Sequence, residues 1–302
     1  MENKVSQLVS VDEKKGTTYN PLVSIVTPVL NSIKYLEECI QNLLNQSYPY
    51  IEHIFIDGGS TDGTLDLLTS YKTRYPDRIR FISEPDKSVG EAVNKGWGMA
   101  KGEILGWIDS DDIYELDAVQ AVVEFFRANP DAYVVFGGGH MINERGEVIR
   151  TYPMKDFDLE ETIKSRTYIH TPPSAFYKRE VIERVGGFPT VGNDLDFHIR
   201  VGKVFPIHRI DKLLFKVRLH KDSISLSKDP NKRRLVRESF QGNYILCRQH
   251  GGSIFSPRSR RYFMFEILDR LRLYDLVVLV VLVKLRRYSF INKLLLKLGI
   301  VG

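Results

Sequence analysis

From Leu22 onward, short β-branched apolar runs alternate with segments of helical periodicity. That alternation confines the chain to a layered α/β fold, a mostly parallel sheet with helices on both faces. Residues 22–27 (LVSIVT) read as a buried strand closed by Pro28, and 51–56 (IEHIFI), 78–82 and 104–108 (ILGWI) as three more. Tyr35, Leu36, Cys39, Ile40, Leu43 and Leu44 fall at helical spacing, with Asn31 and Ser32 available as caps. Further helices are expected over 64–75 and 90–100. After Pro130 the pattern predicts a strand at 133–136, a hairpin turn at Asn143-Glu144-Arg145-Gly146, a helix over 194–204 and a strand over 212–218.

Composition limits the function classes. Cys39 and Cys247 are the only cysteines in 302 residues, which excludes a disulfide framework or a cysteine-rich metal site and fits a reducing compartment. The formal net charge of +5 conceals two unlike parts. From Lys228 onward there are 16 Lys/Arg against 5 Asp/Glu, and residues 1–227 hold 27 against 33. Residues 1–20 are polar, without the layout of a secretory signal, and read as a disordered lead-in. No apolar run reaches the 18 or so residues of a spanning helix.

In an open parallel sheet, ligands bind beyond the carboxyl ends of the strands. Here those ends are Thr27-Pro28, Asp57-Gly58, Ser83-Glu84-Pro85-Asp86 and Asp109-Ser110-Asp111-Asp112. Three carboxylates within the last four residues repel one another unless a cation neutralises them. On an extended chain, Asp109 and Asp111 would point to one side and converge on a hard ion such as Mn²⁺ or Mg²⁺, which also bridges phosphates. The plain alternative is a solvated turn capping a helix that starts near Glu115. Asp62 reads equally as a helix cap. Gly58, Gly59 and Gly63 permit tight turns, but their order is wrong for a dinucleotide fingerprint. Asp194 and Asp196 differ by about 200° on a helix, so one reaction centre can use only one of them. Asp194 is either the base or a cap, and Asp196 has Arg200 as its i+4 partner. His220 is a metal or diphosphate ligand or a plain loop histidine, and Arg218 a phosphate contact or a surface salt bridge. His170, beside a Pro-Pro turn, is a candidate for the acceptor side. Trp97 and Trp107 read as core.

Several segments carry a resemblance. Residues 23–64 (VSIVTPVLNS…IEHIFIDGGSTDGT), 82–114 (ISEPDKSVGEAVNKGWGMAKGEILGWIDSDDIY), 170–188, 193–200 and 215–225 resemble, in order, the inverting family 2 glycosyltransferases of bacterial glycan biosynthesis. Ser88-Val89-Gly90-Glu91 departs from the Gly-Ile-Tyr-Asp that many relatives carry. The resemblance implies a GT-A fold over 21–227, with a nucleotide-sugar half (21–114) and an acceptor half (115–227). It implies nucleotide-sugar binding by Thr27, Pro28, Asn31, Asp57, Asp86, Lys87, Asn94 and Asp109, and a Mn²⁺ or Mg²⁺ site at Asp111, which His220 would join if it is the metal ligand named above. Asp194 takes the place of the catalytic base. The expected reaction moves a sugar, with inversion, from a nucleotide diphosphate, UDP foremost, to a hydroxyl of a glycan or lipid-linked acceptor. A non-catalytic nucleotide-sugar-binding scaffold of a membrane assembly is the alternative.

Residues 228–302 form a basic, helical extension outside that pattern. Residues 276–283 (LVVLVVLV), flanked by arginines and lysines, suit an amphipathic helix on an anionic membrane, on its cytoplasmic face. The competing reading packs this helix on the catalytic domain or in a homodimer. Nucleic acid is not expected, since no binding module accompanies the charge.

Overall fold

A computed structural model describes residues 20–152, 154–164, 172–189, 194–220, 223 and 229–270. His170, Asn193 and the run 276–283 lie outside them.

The first half alternates as expected: β1 (Val23–Val29), α1 (Ile33–Leu44), β2 (Ile51–Asp57), α2 (Thr64–Arg74), β3 (Ile79–Ser83), α3 (Val89–Met99) and β4 (Ile104–Trp107). The second half holds β5 (Ile113–Tyr114), α4 (Ala118–Ala128), β6 (Val134–Ile142), β7 (Val148–Thr151), α5 (Leu159–Lys164), β8 (Ala175–Lys178), α6 (Arg179–Val185), α7 (Asp194–Val204) and β9 (Ile207–Arg218). Two helices follow, α8 (Pro230–Gln249) and α9 (Pro257–Arg270).

One sheet runs through the molecule in the order β3-β2-β1-β4-β8-β6-β9-β5, with β7 paired to β6. Its first four strands are mutually parallel. Beyond β4 the pairings are antiparallel except for β6 with β9. The sheet is therefore mixed, with its parallel part confined to the half expected to bind nucleotide. β1 runs on through Pro28, beyond its last pairing with β4 at Val26–Trp107. Pro28 thus sits where the sheet needs no amide on that side.

Side chains alternate between two faces. Ile25, with Leu43 of α1 and Val119, Val122 and Phe126 of α4, packs on one. Val26, with Val93 and Trp97 of α3 and Phe197 of α7, packs on the other. Trp97 and Trp107 are both buried, as core residues. The expected hairpin turn joins β6 to β7, where Gly146 donates its N–H to the Asn143 carbonyl at 3.0 Å.

The start of the basic extension is helical, and it is docked. Leu246 of α8 packs on Ile163 of α5 and Leu195 and Ile199 of α7. Arg258 of α9 is buried, its guanidinium donating to the carbonyls of Ile163 (2.9 Å) and Thr162 (2.5 Å) at the end of α5. Among the described residues, no helix is long and apolar enough to cross a membrane.

Candidate active site

Strand order reverses between β1 and β4, since β2 and β3 lie to one side of β1 and β4 to the other. At such a switch point the loops leaving the carboxyl ends diverge and open a crevice. The loops that follow β1, β2 and β4 frame it. Asn31, in the left-handed region at φ 49°, donates its N–H to Ser60 Oγ (2.8 Å) and accepts from Thr61 N–H (2.9 Å). Asp62 caps two helices at once, accepting from Ile33 N–H of α1 (3.1 Å) and Thr64 N–H of α2 (3.1 Å). Asn31 and Ser32 therefore do not cap α1 with their own side chains. Gly59 and Gly63 take φ of 94° and 95°, as the tight turns require. Ser110 Oγ meets Ser32 Oγ at 2.8 Å, tying the β4 loop to the β1 loop.

Asp57, at the end of β2, is fully buried. Its Oδ2 accepts from the N–H groups of Gly59 and Ser60, both at 3.0 Å, and from Ser83 Oγ at 2.7 Å. Its Oδ1 is buried with no partner among the described residues. A buried acceptor left unpaired costs about 1–3 kcal/mol, a cost removed by any ligand that brings an N–H or O–H to it.

Other expected nucleotide contacts fare differently. Pro28 is half-buried at the crevice floor and Lys87 is exposed at the start of α3. Ser88 caps that helix by accepting from Glu91 N–H at 3.2 Å. Asp86 accepts from Lys95 Nζ at 2.5 Å. Thr27 lies under the floor, fully buried, with its hydroxyl 2.9 Å from His53 Nε2. Asn94 is engaged elsewhere, because its amide donates to the Phe188 carbonyl and accepts from the Phe188 N–H, both at 2.8 Å.

The acidic run after β4 is a turn, with Asp112 N–H donating to the Asp109 carbonyl at 3.1 Å. The run is thus a turn and not the extended chain expected from its spacing, and within it the charge of Asp111 still acts on Asp109. Asp111 also meets His220, with Oδ2 and Nε2 2.8 Å apart. The ring of Tyr35 packs 5.0 Å from the imidazole. Among the described residues, no three His, Cys, Asp or Glu side chains gather into a metal cage. Asp109 is pushed up to about 7 by burial and by the charges of Asp111 and Asp194. Asp112 is buried, and burial together with Asp111 holds it well above the ordinary carboxylate range.

Asp194 opens α7 and belongs to the same electrostatic group, acting on Asp109, on Tyr177 of β8, on His198 one turn along and on Arg258. Asp196, as its spacing suggested, is spent on Arg200, whose Nε lies 2.8 Å from Oδ2. That guanidinium also holds the carbonyls of Val185 and Gly187. Of the two acids, Asp194 is the one whose charge acts on Asp109.

Arg218 makes the salt bridge of its second reading, but with its own side chain buried. Its side chain is 3% exposed, and its guanidinium donates to Glu38 Oε2 (2.7 Å), the Asp111 carbonyl (3.1 Å) and the carbonyls of Asn143 and Glu144 (both 3.4 Å). Its own N–H donates to Asp112 Oδ1 at 2.8 Å. It fixes the acidic turn from behind, and nothing in residue type sets it apart from the other basic residues of its strand.

The family model described as glycosyl transferase family 2 matches residues 24–186. A chondroitin synthase of Escherichia coli is 31% identical over 211 residues, covering 69% of this chain and 30% of that protein. The chain thus spans under a third of that relative's length. Among solved structures, the mannosyltransferase PcManGT from Pyrobaculum calidifontis, in complex with GDP-Man and Mn²⁺, aligns with a TM-score of 0.59 at 21% identity over 93% of this chain and 80% of its own. S. aureus TarS 1-349 in complex with UDP-GlcNAc aligns with a TM-score of 0.54 at 18% identity over 74% of this chain and 66% of its own. The fold is that of the GT-A glycosyltransferases.

Proposed function

The chain belongs to glycosyl transferase family 2, and on that footing we propose that it moves a glycosyl group, with inversion, from a nucleoside diphosphate sugar to a hydroxyl of a glycan or lipid-linked acceptor. UDP is the expected nucleotide. The observation that carries this reading is the Asp111–His220 pair beyond the switch-point strand, beside an Asp109 on which the charges of Asp111 and Asp194 both act.

One carboxylate and one imidazole 2.8 Å apart fit a Mn²⁺ or Mg²⁺ ion that draws its remaining ligands from phosphate oxygens and water. The residues that would hold it are Asp111 and His220. Such an ion, when bound, neutralises the departing diphosphate. The chain's own groups divide the rest. Asp57 Oδ1 accepts from the base N–H, which supplies the partner it lacks. Asn31 and Pro28 border the nucleoside, Lys87 and Asp86 stand on the loop before α3, and Asp109 accepts from a ribose or sugar hydroxyl. Asp194 accepts the proton of the acceptor hydroxyl as that oxygen attacks the anomeric carbon from the face opposite the diphosphate. No covalent intermediate is needed, and configuration inverts.

The cationic, apolar composition of residues 228–302 supports a peripheral position on the cytoplasmic membrane face. Incubation with a panel of nucleotide sugars and Mn²⁺, with the anomeric configuration of the product read by NMR, tests the reading. Net retention of configuration, or no transfer from any donor, contradicts it.

A further inference from the structure

α9 turns an apolar stripe outward. Arg260, Phe263, Met264 and Ile267, at i, i+3, i+4 and i+7, are exposed, Phe263 by 43% and Ile267 by 58%. A surface helix ordinarily presents such a stripe to the core. Beside Phe265, which stacks on Phe240, the buried side of α9 carries Arg258, Ser259 and Asp269. Each is bonded there: Arg258 to the end of α5, Ser259 to the Ser253 carbonyl, and Asp269 to Arg233 and Arg237 of α8. These polar contacts, with the Phe265–Phe240 and Tyr262–Tyr244 stacks, hold the helix in place, while Phe263, Met264 and Ile267 stay exposed.

The turn between α8 and α9 extends the stripe with Ile254 and with Phe255, which is 76% exposed. Ile254, Phe255, Arg260, Phe263, Met264 and Ile267 line an open cavity of about 400 Å³. No carboxylate is among them, and Arg260 has no side-chain partner among the described residues. Arg248, exposed on the same turn, donates to the Gly252 carbonyl at 2.6 Å.

We propose that this stripe is a membrane-docking surface and that its partner is an anionic lipid bilayer. Aromatic and aliphatic side chains rimmed by cations, with no counter-charge in the lining, match an interfacial helix. The 16 basic against 5 acidic residues from Lys228 onward favour anionic headgroups. A second copy seated on the stripe is the alternative that the test below separates. The buried side of the same helix holds Arg258, which is bonded to the end of α5, and Ile163 of α5 packs on Leu195 and Ile199 of α7, the helix that Asp194 opens. Docking therefore fixes the height of the reaction centre above the lipid, as a lipid-linked acceptor requires. The proposal rests on the peripheral-membrane reading above and names the surface that makes the contact.

The test uses the full 302-residue chain, with vesicles of equal parts phosphatidylglycerol and phosphatidylcholine and vesicles of phosphatidylcholine alone. Co-sedimentation is expected with the anionic vesicles and is weakened by salt. It falls by at least about tenfold in a Phe255→Ser, Phe263→Ser, Ile267→Ser variant that still shows a UDP-induced thermal shift. Wild-type sedimentation of that variant overturns this surface while leaving the membrane reading standing. Failure of the wild-type chain to sediment overturns both. A Phe255→Trp variant gives a second readout that spares the fold. Its emission should shift to the blue on adding anionic vesicles. Emission that is already blue and indifferent to vesicles means another part of the chain or a second copy covers the stripe, which overturns the proposal.

Discussion

His220 Nε2 lies 2.8 Å from Asp111 Oδ2, although 109 residues separate the two in the chain. The pairing follows from topology. β9 runs antiparallel to β5, with Ile113 opposite Lys216, so the residues just before β5 and just after β9 emerge side by side. Two ligands held this way by opposite strands need little rearrangement to take a cation. His220→Ala and Asp111→Asn should each weaken Mn²⁺ binding in the presence of UDP by roughly 10–100-fold, read by calorimetry. Unchanged affinity in either variant removes that residue from the metal site.

Asp57 makes a separable prediction. Asp57→Asn keeps the size of the side chain but removes the charge that a base N–H would meet. A charged hydrogen bond is worth about 1.5–3 kcal/mol, so UDP affinity should fall by roughly 10–150-fold. Equal affinity of the two proteins for UDP would show that the orphaned Oδ1 does not receive the nucleotide.

Arg218 should matter for the fold before it matters for chemistry. Arg218→Met leaves the carbonyls of Asp111, Asn143 and Glu144 without their donor. A loss of about 3 kcal/mol is expected, which lowers Tm by roughly 6–12 °C in a protein of this size. Arg218→Lys should recover part of this, and its Mn²⁺ affinity should follow its stability. Wild-type Tm in the methionine variant contradicts the role.

Two buried histidines contribute to the pH dependence of stability, opposed by Asp109 and Asp112, whose raised values favour the fold as pH falls. Burial, aided by Arg78, holds His53 well below its ordinary value, and burial lowers His198 despite the opposing charge of Asp194. The unfolded chain takes up these protons near pH 6.5 and the folded chain does not, so stability is present above about 6.5 and is lost as pH falls below it. Each group contributes a slope of up to about 1.4 kcal/mol per pH unit. Between pH 7.5 and 5, the Tm of His53→Gln relative to the wild type should rise as pH falls. Parallel curves would mean that His53 is charged in the fold.

Much of the fold was legible because it is local. The helix expected over 194–204 is α7, and the expected turn at Asn143 joins β6 to β7. Each of the first four strands starts and ends within about one residue of its expected place, apart from β1, which runs on through Pro28 to Val29. Long-range pairing was not legible. Nothing in a period of two says that β6 lies parallel to β9, or that two residues form β5. The site divides along the same line. Asp196 with Arg200 followed from helical spacing. Asp109 and Asp111 stand on a turn, where the spacing suggests an extended chain, and their charges act on one another there. Asn94 and Arg218 carry the right chemistry for a ligand, and both are engaged by tertiary contacts that residue type does not announce. The outward stripe of α9 shows the limit in reverse, since helical periodicity locates an apolar face without saying whether protein or lipid covers it.

The central claim is that Asp194 takes the proton of the acceptor hydroxyl at a site where the donor is held by other residues. Asp194→Asn preserves shape and removes the base, so the direct measurement compares UDP binding with glycosyl transfer in the same preparation. The account predicts UDP affinity within about threefold of wild type, with transfer reduced by roughly 10²–10⁴-fold. Transfer at a wild-type rate in that variant would contradict it.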